Sequence, residues 1–428
     1  MENGLLSGPE TAASGMDSIE NVSMLLRQKI CWQDSDIKST PEGFQALVFG
    51  ASGITGWAIV NESLTYPTST TFSRIIGLTS RPLTVQDAGL PQDPRLQLYA
   101  GLDLSKDIES TVAYLHAIPG IEHITHVYFA AYVHLGWGAS DSASRARENV
   151  KFLTSAVTAI ETECPNLHFF TFPTGGKWYG FEFGNAVERV TPLKESAPRV
   201  GSPQGDHIFY YYQIDALERL NEGKKWKYAD IRPDAIIGFV PNHNAMNLAE
   251  PIALYCSLWK SLETSDEIPF PGTTTTYTSL HSDCSQDLVA RIHIFASLHP
   301  EKTGGEAYNI ADADVSNSWE AVWPGIAAYF GLKGVGPPPN GQLAGEPWVK
   351  SRSPVWEKWT AEKQLKPKVL ESTCWGFMTI LANDYATFDR SFDISKARSI
   401  GFDERRDHVQ SYHIAFDRMR DARIIPTA

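Results

Sequence analysis

A glycine-rich turn between an apolar run and a helical segment is the feature that most constrains the fold. The run begins at Ala46 and ends at Phe49, and apolar residues then recur with helical spacing from Trp57 to Leu64. In this context the first glycine permits a tight turn, the second lets backbone approach a pyrophosphate, and the third permits close packing of helix on sheet. The N–H groups at the start of the helix can then bind phosphate. We predict a dinucleotide site at Gly50, Ser52, Gly53, Ile54 and Gly56.

Short apolar runs separated by helical segments follow the turn. They predict further strands at residues 74–78, 96–99, 126–131, 168–172 and 226–233, and a helix at 142–162. Strands that alternate with helices form βαβ units and a parallel sheet. The predicted fold is therefore α/β, a Rossmann-type doubly wound parallel sheet with a smaller, mainly helical C-terminal substrate-binding lobe.

The end of the second predicted strand indicates which dinucleotide binds. NAD-binding proteins usually place an acidic residue there, whereas NADP-binding proteins use a cation for the 2′-phosphate. This chain has Thr79, Ser80 and Arg81, so we expect NADP(H), although the strictness of that preference stays open. Further cofactor contacts are predicted after the third and fourth strands, at Asp103, Leu104 and Ala130.

The pattern along the chain divides it into three parts. Residues 1–44 are an N-terminal extension, and 45–240 are the NADP-binding Rossmann core. Residues 241–428 are mainly a substrate-binding lobe, with strands or helices that return to the core.

Composition excludes several classes of function. The 428 residues carry a net charge of −13, which argues against binding nucleic acid or an anionic membrane. No apolar run approaches the ~20 residues of a transmembrane helix, and the N-terminus lacks signal-peptide features. The five cysteines are widely spaced, and no histidine–cysteine pattern predicts a metal site. We expect a cytoplasmic protein with a small apolar carbonyl substrate, no nucleic-acid partner, no membrane span and no metal, and leave open whether it forms a homodimer.

The tyrosines and lysines do not follow the ordinary pattern of short-chain dehydrogenases, which is Tyr-x-x-x-Lys on one helix. Three consecutive tyrosines begin at Tyr210, but no lysine lies four residues after any of them. Lys177 instead follows the fifth strand, at the edge of the sheet where ligands bind in doubly wound folds. A strand-end lysine could meet a tyrosine of the following helix and help to hold a developing enolate.

This arrangement resembles the progesterone 5β-reductase/iridoid synthase-like (PRISE) family, an atypical branch of extended short-chain dehydrogenases. The family's Thr-Gly-x-Lys-x-Tyr motif matches residues 174–179, and its Asn-Phe-Tyr-Tyr segment is similar to residues 208–211. The resemblance extends over most of the chain from about residue 45, and it assigns the catalytic roles to Lys177 and Tyr210. It implies NADPH-dependent 1,4-reduction of a C=C bond conjugated to a carbonyl.

The chain departs from the family pattern at three positions. Ser80 replaces the first of two arginines, Tyr132 replaces a tryptophan, and Ile208 replaces a polar residue, so we expect a different substrate. Tyr132 and Tyr179 are predicted to line the substrate pocket. Met246 and Asn247 either line that pocket or pack in the interior.

Three other functions remain open from the sequence. The same scaffold could reduce a carbonyl C=O bond, catalyse a cyclisation without redox chemistry, or sense NADP without turnover.

Overall fold

The computed structural model describes residues 43–133, 142–241, 246–262, 265–338, 346–382 and 387–427. The first 42 residues of the predicted N-terminal extension therefore lie outside the described residues.

A seven-stranded parallel sheet forms the centre of the described fold. Its strands are β1 Phe44–Phe49, β2 Phe72–Thr79, β3 Leu96–Ala100, β4 His126–Phe129, β5 Phe169–Pro173, β6 Lys227–Pro233 and β11 Glu306–Ile310. They lie in the order β11-β6-β5-β4-β1-β2-β3. The first six strands are within two residues of their predicted bounds, and the order 3-2-1-4-5-6 is that of a doubly wound Rossmann sheet. The predicted fold class is thereby confirmed.

Helices cover both faces of this sheet because its central strands are apolar on both sides. On one face, α3 (Ser142–Glu163) buries Leu153, Val157 and Ile160, which recur at helical spacing and pack against residues of β4 and β5. On the other face, α1 (Ile54–Ser63) packs against α7 (Gln286–Leu298). The remaining helices between strands of the core are α2 Ile108–His116 and α4 Phe209–Asn221.

The chain after residue 235 contributes further helices and, apart from β11, strands of two or three residues. Its strand β11 joins the edge of the main sheet beside β6, in the register Tyr308 opposite Ile231. Besides α7, the helices of this part are α5 Ala249–Ser261, α6 Thr274–Thr278, α8 Pro300–Thr303, α9 Trp319–Ala328, α10 Glu346–Lys350, α11 Ser353–Glu362, α12 Val369–Ser372, α13 Gly376–Ala382, α14 Ser395–Ser399 and α15 His408–Asp421. The short strands are β7 Ile236–Ile237, β8 Glu267–Pro269, β9 Leu280–His281, β10 Cys284–Ser285, β12 Asn317–Ser318 and β13 Lys333–Val335.

Within the described part of the chain, no helix has both the length and the apolar character needed to cross a bilayer.

Candidate active site

A large cleft lies along the carboxyl edge of the sheet, where the strand order reverses between β1 and β4. Its cavity volume is about 1010 Å³. This edge is where doubly wound sheets bind their ligands, because the loops on either side of the reversal diverge and leave a crevice. Most of the predicted cofactor residues line this cleft, namely Gly50, Ser52, Gly53, Ile54, Ser80, Arg81, Asp103, Leu104 and Ala130.

The glycine turn closes tightly between β1 and α1. Gly50 has φ +77°, and a Cβ there would lie 2.7 Å from the carbonyl oxygen of Ala130. A Cβ at Gly56 would lie 2.2 Å from the carbonyl oxygen of Gly50. Gly56 does not line the cleft, so its direct role is the packing of α1 against the turn. Gly53 is the residue before α1 and has no side chain to cap the first N–H groups of that helix.

Two loops bound the predicted adenine side of the cleft. After β2, the Thr79 hydroxyl donates a hydrogen bond of 2.7 Å to the carbonyl oxygen of Arg81, which fixes the course of the backbone while the side chains of Ser80 and Arg81 stay exposed. After β3, the carboxylate of Asp103 accepts hydrogen bonds from the backbone N–H and the hydroxyl of Ser105. These hydrogen bonds lower the pKa of Asp103, so its carboxylate is charged at neutral pH.

Lys177 reaches the cleft from a short 3₁₀ helix, Gly176–Tyr179, that follows β5. The preceding Gly175 has φ +137°, and a Cβ there would lie 2.8 Å from the carbonyl oxygen of Pro233, so the turn requires glycine. The Lys177 side chain is only 14% exposed. Burial lowers its pKa, and the neighbouring Glu182 acts in the opposite direction.

Glu182 connects Lys177 to a second buried cation. One oxygen, Oε1 of Glu182, lies 3.0 Å from Nζ of Lys177 and 3.0 Å from Nη1 of Arg145. Arg145 comes from α3, and its side chain is 3% exposed. This triad was missed in the sequence, because Arg145 reads as an ordinary helix residue and Glu182 lies at no diagnostic spacing from Lys177.

The three consecutive tyrosines of α4 have different surroundings. Tyr210 lines the cleft, and its hydroxyl is 3.9 Å from the position that a Cβ on Gly175 would occupy. The Tyr211 hydroxyl donates to the carbonyl oxygen of Trp178 at 2.7 Å and accepts from the N–H of Val200 at 2.9 Å. Tyr212 is 43% exposed and does not line the cleft. Of these three tyrosines, Tyr210 is the one that lines the cleft together with Lys177.

The Tyr210 phenol is held in its neutral form. Burial raises its pKa well above the ordinary value of a tyrosine, and Tyr132, Glu182 and Asp230 add to this effect. Tyr132 also lines the cleft, with its ring 5.7 Å from that of Phe209, and burial raises its pKa to about 12. At neutral pH both hydroxyl groups are therefore able to donate hydrogen bonds.

Two of the predicted substrate residues form hydrogen bonds within the protein. The Tyr179 hydroxyl donates a hydrogen bond of 2.6 Å to Oδ1 of Asn309, and the buried ring does not line the cleft. Asn247 is buried at the start of α5, where its Oδ1 accepts from the N–H groups of Ala249 and Glu250. Neither Tyr179 nor Asn247 lines the cleft, and their contact with a substrate stays a prediction. Met246 lines the cleft.

The end of the cleft beyond Lys177 is formed mainly by the chain after residue 240. It is largely apolar but contains the charged pair Asp234 and Arg390. None of these residues was predicted, because the segments that supply them are distant in sequence and have no common motif. The apolar lining residues here are Leu248, Trp319, Phe377, Ile380 and Leu381. In the described part of the chain, no group of three or more histidine, cysteine, aspartate or glutamate residues could hold a metal ion.

Comparison with known proteins identifies relatives over nearly the whole chain. A family model described as the PRISE-like Rossmann-fold domain matches residues 46–426. The short chain dehydrogenase ausT of Aspergillus calidoustus is 37% identical over 89% of this chain and 94% of its own. The 3-oxo-Delta(4,5)-steroid 5-beta-reductase of Arabidopsis thaliana is 27% identical over 92% of this chain and 96% of its own.

Among solved structures, a UDP-glucose 4-epimerase of Thermotoga maritima has a TM-score of 0.57 at 15% identity, covering 88% of this chain and 99% of its own. At this identity the likeness concerns the fold alone.

Proposed function

Because this chain belongs to the PRISE-like Rossmann-fold family, we propose that it is an NADPH-dependent reductase of the C=C bond in an apolar α,β-unsaturated carbonyl compound. The observation that carries the proposal is the position of Lys177 and Tyr210. They come from different elements, line the same cleft, and flank the Gly175–Gly176 turn beside the predicted cofactor site. The separate origin of the two side chains matches the family's departure from the Tyr-x-x-x-Lys pattern.

The predicted cofactor residues fit a dinucleotide phosphate. Gly50 permits the tight turn that packs against the backbone of Ala130, and the N-terminus of α1 that follows offers N–H groups to a pyrophosphate. Arg81 is an exposed cation just after the end of β2. No acidic side chain is present among residues 79–81 to bind the ribose 2′-hydroxyl of NAD(H). These features support NADP(H) over NAD(H). Bound in this way, NADPH would supply the hydride.

The chain's own residues would act on the substrate oxygen. When hydride reaches the β-carbon, negative charge moves to the carbonyl oxygen and an enolate develops. Tyr210 is neutral at physiological pH and would donate a hydrogen bond to that oxygen. The cation of Lys177 would add electrostatic stabilisation, which is strong because the side chain is largely shielded from water. The apolar end of the cleft would exclude water and hold the hydrocarbon part of the substrate.

The proposal is tested with purified protein, NADPH and a panel of cyclic and open-chain enones, by the loss of nicotinamide absorbance. We expect Tyr210→Phe and Lys177→Ala each to lower kcat/KM by about 100-fold or more. The matched control is Tyr212→Phe, because Tyr212 is on the same helix but exposed. Unchanged rates in the Tyr210 and Lys177 variants would refute the assignment.

Deuterated NADPH separates conjugate reduction from carbonyl reduction. The label appears on the β-carbon in the first reaction and on the carbonyl carbon in the second. Arg81→Ala tests the cofactor: KM for NADPH should rise by about 10-fold or more while KM for NADH stays constant. Lys106→Ala is the control, since Lys106 is an exposed cation that does not line the cleft.

A further inference from the structure

The proposed reduction requires a proton as well as a hydride. Hydride addition to the β-carbon leaves an enolate, and the saturated ketone forms only when a proton is added to the α-carbon. Tyr210 and Lys177 would act at the enolate oxygen. A second acid close to the α-carbon would deliver the proton within the cleft, before the enolate is released to water.

Asp234 borders the turn formed by Gly175 and Gly176. It directly follows β6, and its Oδ1 lies 3.4 Å from the position that a Cβ on Gly176 would occupy. The carbonyl oxygen of Pro233, in the peptide bond that leads to Asp234, lies 2.8 Å from the equivalent position on Gly175. The Tyr210 hydroxyl lies 3.9 Å from that same position. A carboxyl oxygen and the phenol are therefore placed beside consecutive residues of one turn, and both residues line the cleft.

The ionic partner of Asp234 is Arg390, which also lines the cleft. The two side chains are 7% and 11% exposed, and Oδ2 of Asp234 lies 3.5 Å from Nε of Arg390. This distance exceeds that of a good charge-assisted hydrogen bond. Neither of these two atoms has a hydrogen-bond partner among the described residues. A single long contact stabilises a carboxylate without locking it in that form, so the group is able to gain and lose a proton.

The surroundings of Asp234 bring its two protonation states closer in free energy at neutral pH. Burial raises the pKa of the carboxyl group. Arg390 and His281 oppose this effect, and so does the backbone of Ser282. The buried carboxylate of Asp283, which is paired with His281 at 3.3 Å, adds to it. A buried carboxyl group with a raised pKa is the kind of group that serves as a general acid near neutral pH.

The other carboxyl groups that line the described part of the cleft are less suited to this role. Asp103 lies on the predicted adenine side, Glu182 pairs with two cations, and Glu346 pairs with a lysine of its own helix. Hydrogen bonds lower the pKa of Asp103, which keeps that group as a carboxylate. Asp234 is therefore the carboxyl group whose position and surroundings fit proton delivery beside Tyr210.

We infer that Oδ1 of Asp234 donates the proton to the α-carbon of the enolate. The O–H bond of the carboxyl group breaks, and the electron pair of the enolate forms the new C–H bond while the carbonyl group is restored. The resulting carboxylate stays beside Arg390, and a proton from water restores the acid for the next turnover. This inference rests on the proposed function, which supplies the enolate.

The first test uses 2-methylcyclohex-2-enone, because its reduction product has a stereocentre at the α-carbon. The full chain and NADPH convert it at neutral pH, and chiral gas chromatography gives the ratio of the two product enantiomers at early times. We expect a ratio of about 10:1 or more, since a fixed acid protonates one face of the enolate. In Asp234→Asn the ratio should fall to about 1:1, because water then supplies the proton to either face.

The second test is the reverse proton transfer, which needs no reduction. Saturated 2-methylcyclohexanone is incubated in D₂O with the full chain and NADP⁺, and proton NMR follows the loss of the α-hydrogen signal. The carboxylate of Asp234 should remove that hydrogen while Tyr210 and Lys177 hold the enolate oxygen. We expect Asp234→Asn and Tyr210→Phe each to lower the exchange rate by about 100-fold or more.

Asp234→Asn removes the ion pair with Arg390 and could destabilise the fold. The double variant Asp234→Asn/Arg390→Met removes both charges and should give the same loss of enantiomeric preference and exchange. Asp287→Asn is the matched control, because Asp287 is a carboxylate 5% exposed that pairs with Arg418 at 2.8 Å and does not line the cleft. A racemic product from the wild type would overturn the inference. So would a preference that persists in the Asp234 variants, or one that is lost equally in Asp287→Asn.

The two proposals fail in different ways. Exchange that depends on Asp234, without any consumption of NADPH by enones, would refute ene-reduction and support the proton donor. Reduction that proceeds with an equal mixture of enantiomers and no exchange would do the reverse.

Discussion

Replacing Glu182 by glutamine tests whether the buried triad controls the charge on Lys177. Glutamine keeps the shape of the side chain and an oxygen that accepts hydrogen bonds, but it removes the negative charge. Both Lys177 and Arg145 lose the ion pair with Glu182, because they share its Oε1 oxygen at 3.0 Å. The variant therefore removes a negative charge that two buried cations share.

The size of the effect follows from the geometry. At 3.0 Å and an effective dielectric constant of about 20, each pair has a Coulomb energy of about 5 kcal/mol. Glu182 is 25% exposed, so water screens part of this energy. Removing one partner of a fully buried pair costs about 3–5 kcal/mol. We therefore expect the free energy of unfolding to fall by about 1–3 kcal/mol.

The change in charge should also appear in the pH dependence of the reaction. Burial lowers the pKa of Lys177, and Glu182 opposes that effect. Without Glu182 the pKa falls further, so Lys177 loses its proton at a lower pH. The alkaline limb of the kcat/KM profile should therefore move to lower pH in Glu182→Gln, and Glu182→Asp should recover part of the shift.

Glu161→Gln is the control for this experiment. Glu161 is 22% exposed and has an ion pair of 2.8 Å with Lys224, but it does not line the cleft. An alkaline limb at the wild-type position in Glu182→Gln would refute the reasoning. So would an equal displacement in Glu161→Gln, since that would indicate a general loss of stability.

Two further predictions concern the fold. Gly56→Ala puts a Cβ 2.2 Å from the carbonyl oxygen of Gly50, so the free energy of unfolding measured with denaturant should fall by about 1–3 kcal/mol. The variant should also bind NADPH more weakly. Gly201→Ala is the control, because a Cβ there has nothing within 4 Å and should change neither quantity. Burial lowers the pKa of His126 and of His293 to about 3 in the folded chain, so the stability that each contributes is complete above about pH 6.5 and is lost as pH falls. As pH falls from 7 to 5, each of these two histidines should lower the free energy of unfolding by about 2 kcal/mol. A His293→Gln variant that folds should therefore lose less stability over that range than wild type.

Much of the sheet could be predicted because its signals are local. The apolar runs of β1, β2 and β4 are buried on both faces, and the turn after β1 requires glycines at fixed positions. Lys177 is predicted in the same way, since it lies four residues after the end of β5. The three consecutive tyrosines are harder to tell apart, because neighbouring residues of a helix point in different directions. Tyr210 lies at the cleft, Tyr211 in the interior and Tyr212 at the surface. Two features of the structure distinguish Tyr211 from Tyr210: its hydroxyl is hydrogen-bonded to Trp178 and Val200, and it does not line the cleft.

The residues that escaped prediction depend on contacts between distant segments. Tyr179 matches the family motif, but its hydroxyl donates a hydrogen bond to Asn309 of β11, which is 130 residues away in the sequence. Asn247 is an exception, because its side chain accepts hydrogen bonds from backbone N–H groups two and three residues away, at the start of α5. Arg390 and Asp234 meet across 156 positions, so no short motif could contain both.

The position of β11 affects how such an enzyme could be re-engineered. This strand lies between Met246 and Arg390 in the sequence, although in space it completes the edge of the nucleotide-binding sheet. A contiguous exchange of the whole specificity region between two relatives would therefore also transplant a strand of the recipient's own sheet, with its pairing to β6. Chimeras that exchange residues 246–298 and 311–390 as two separate cassettes would leave that strand native.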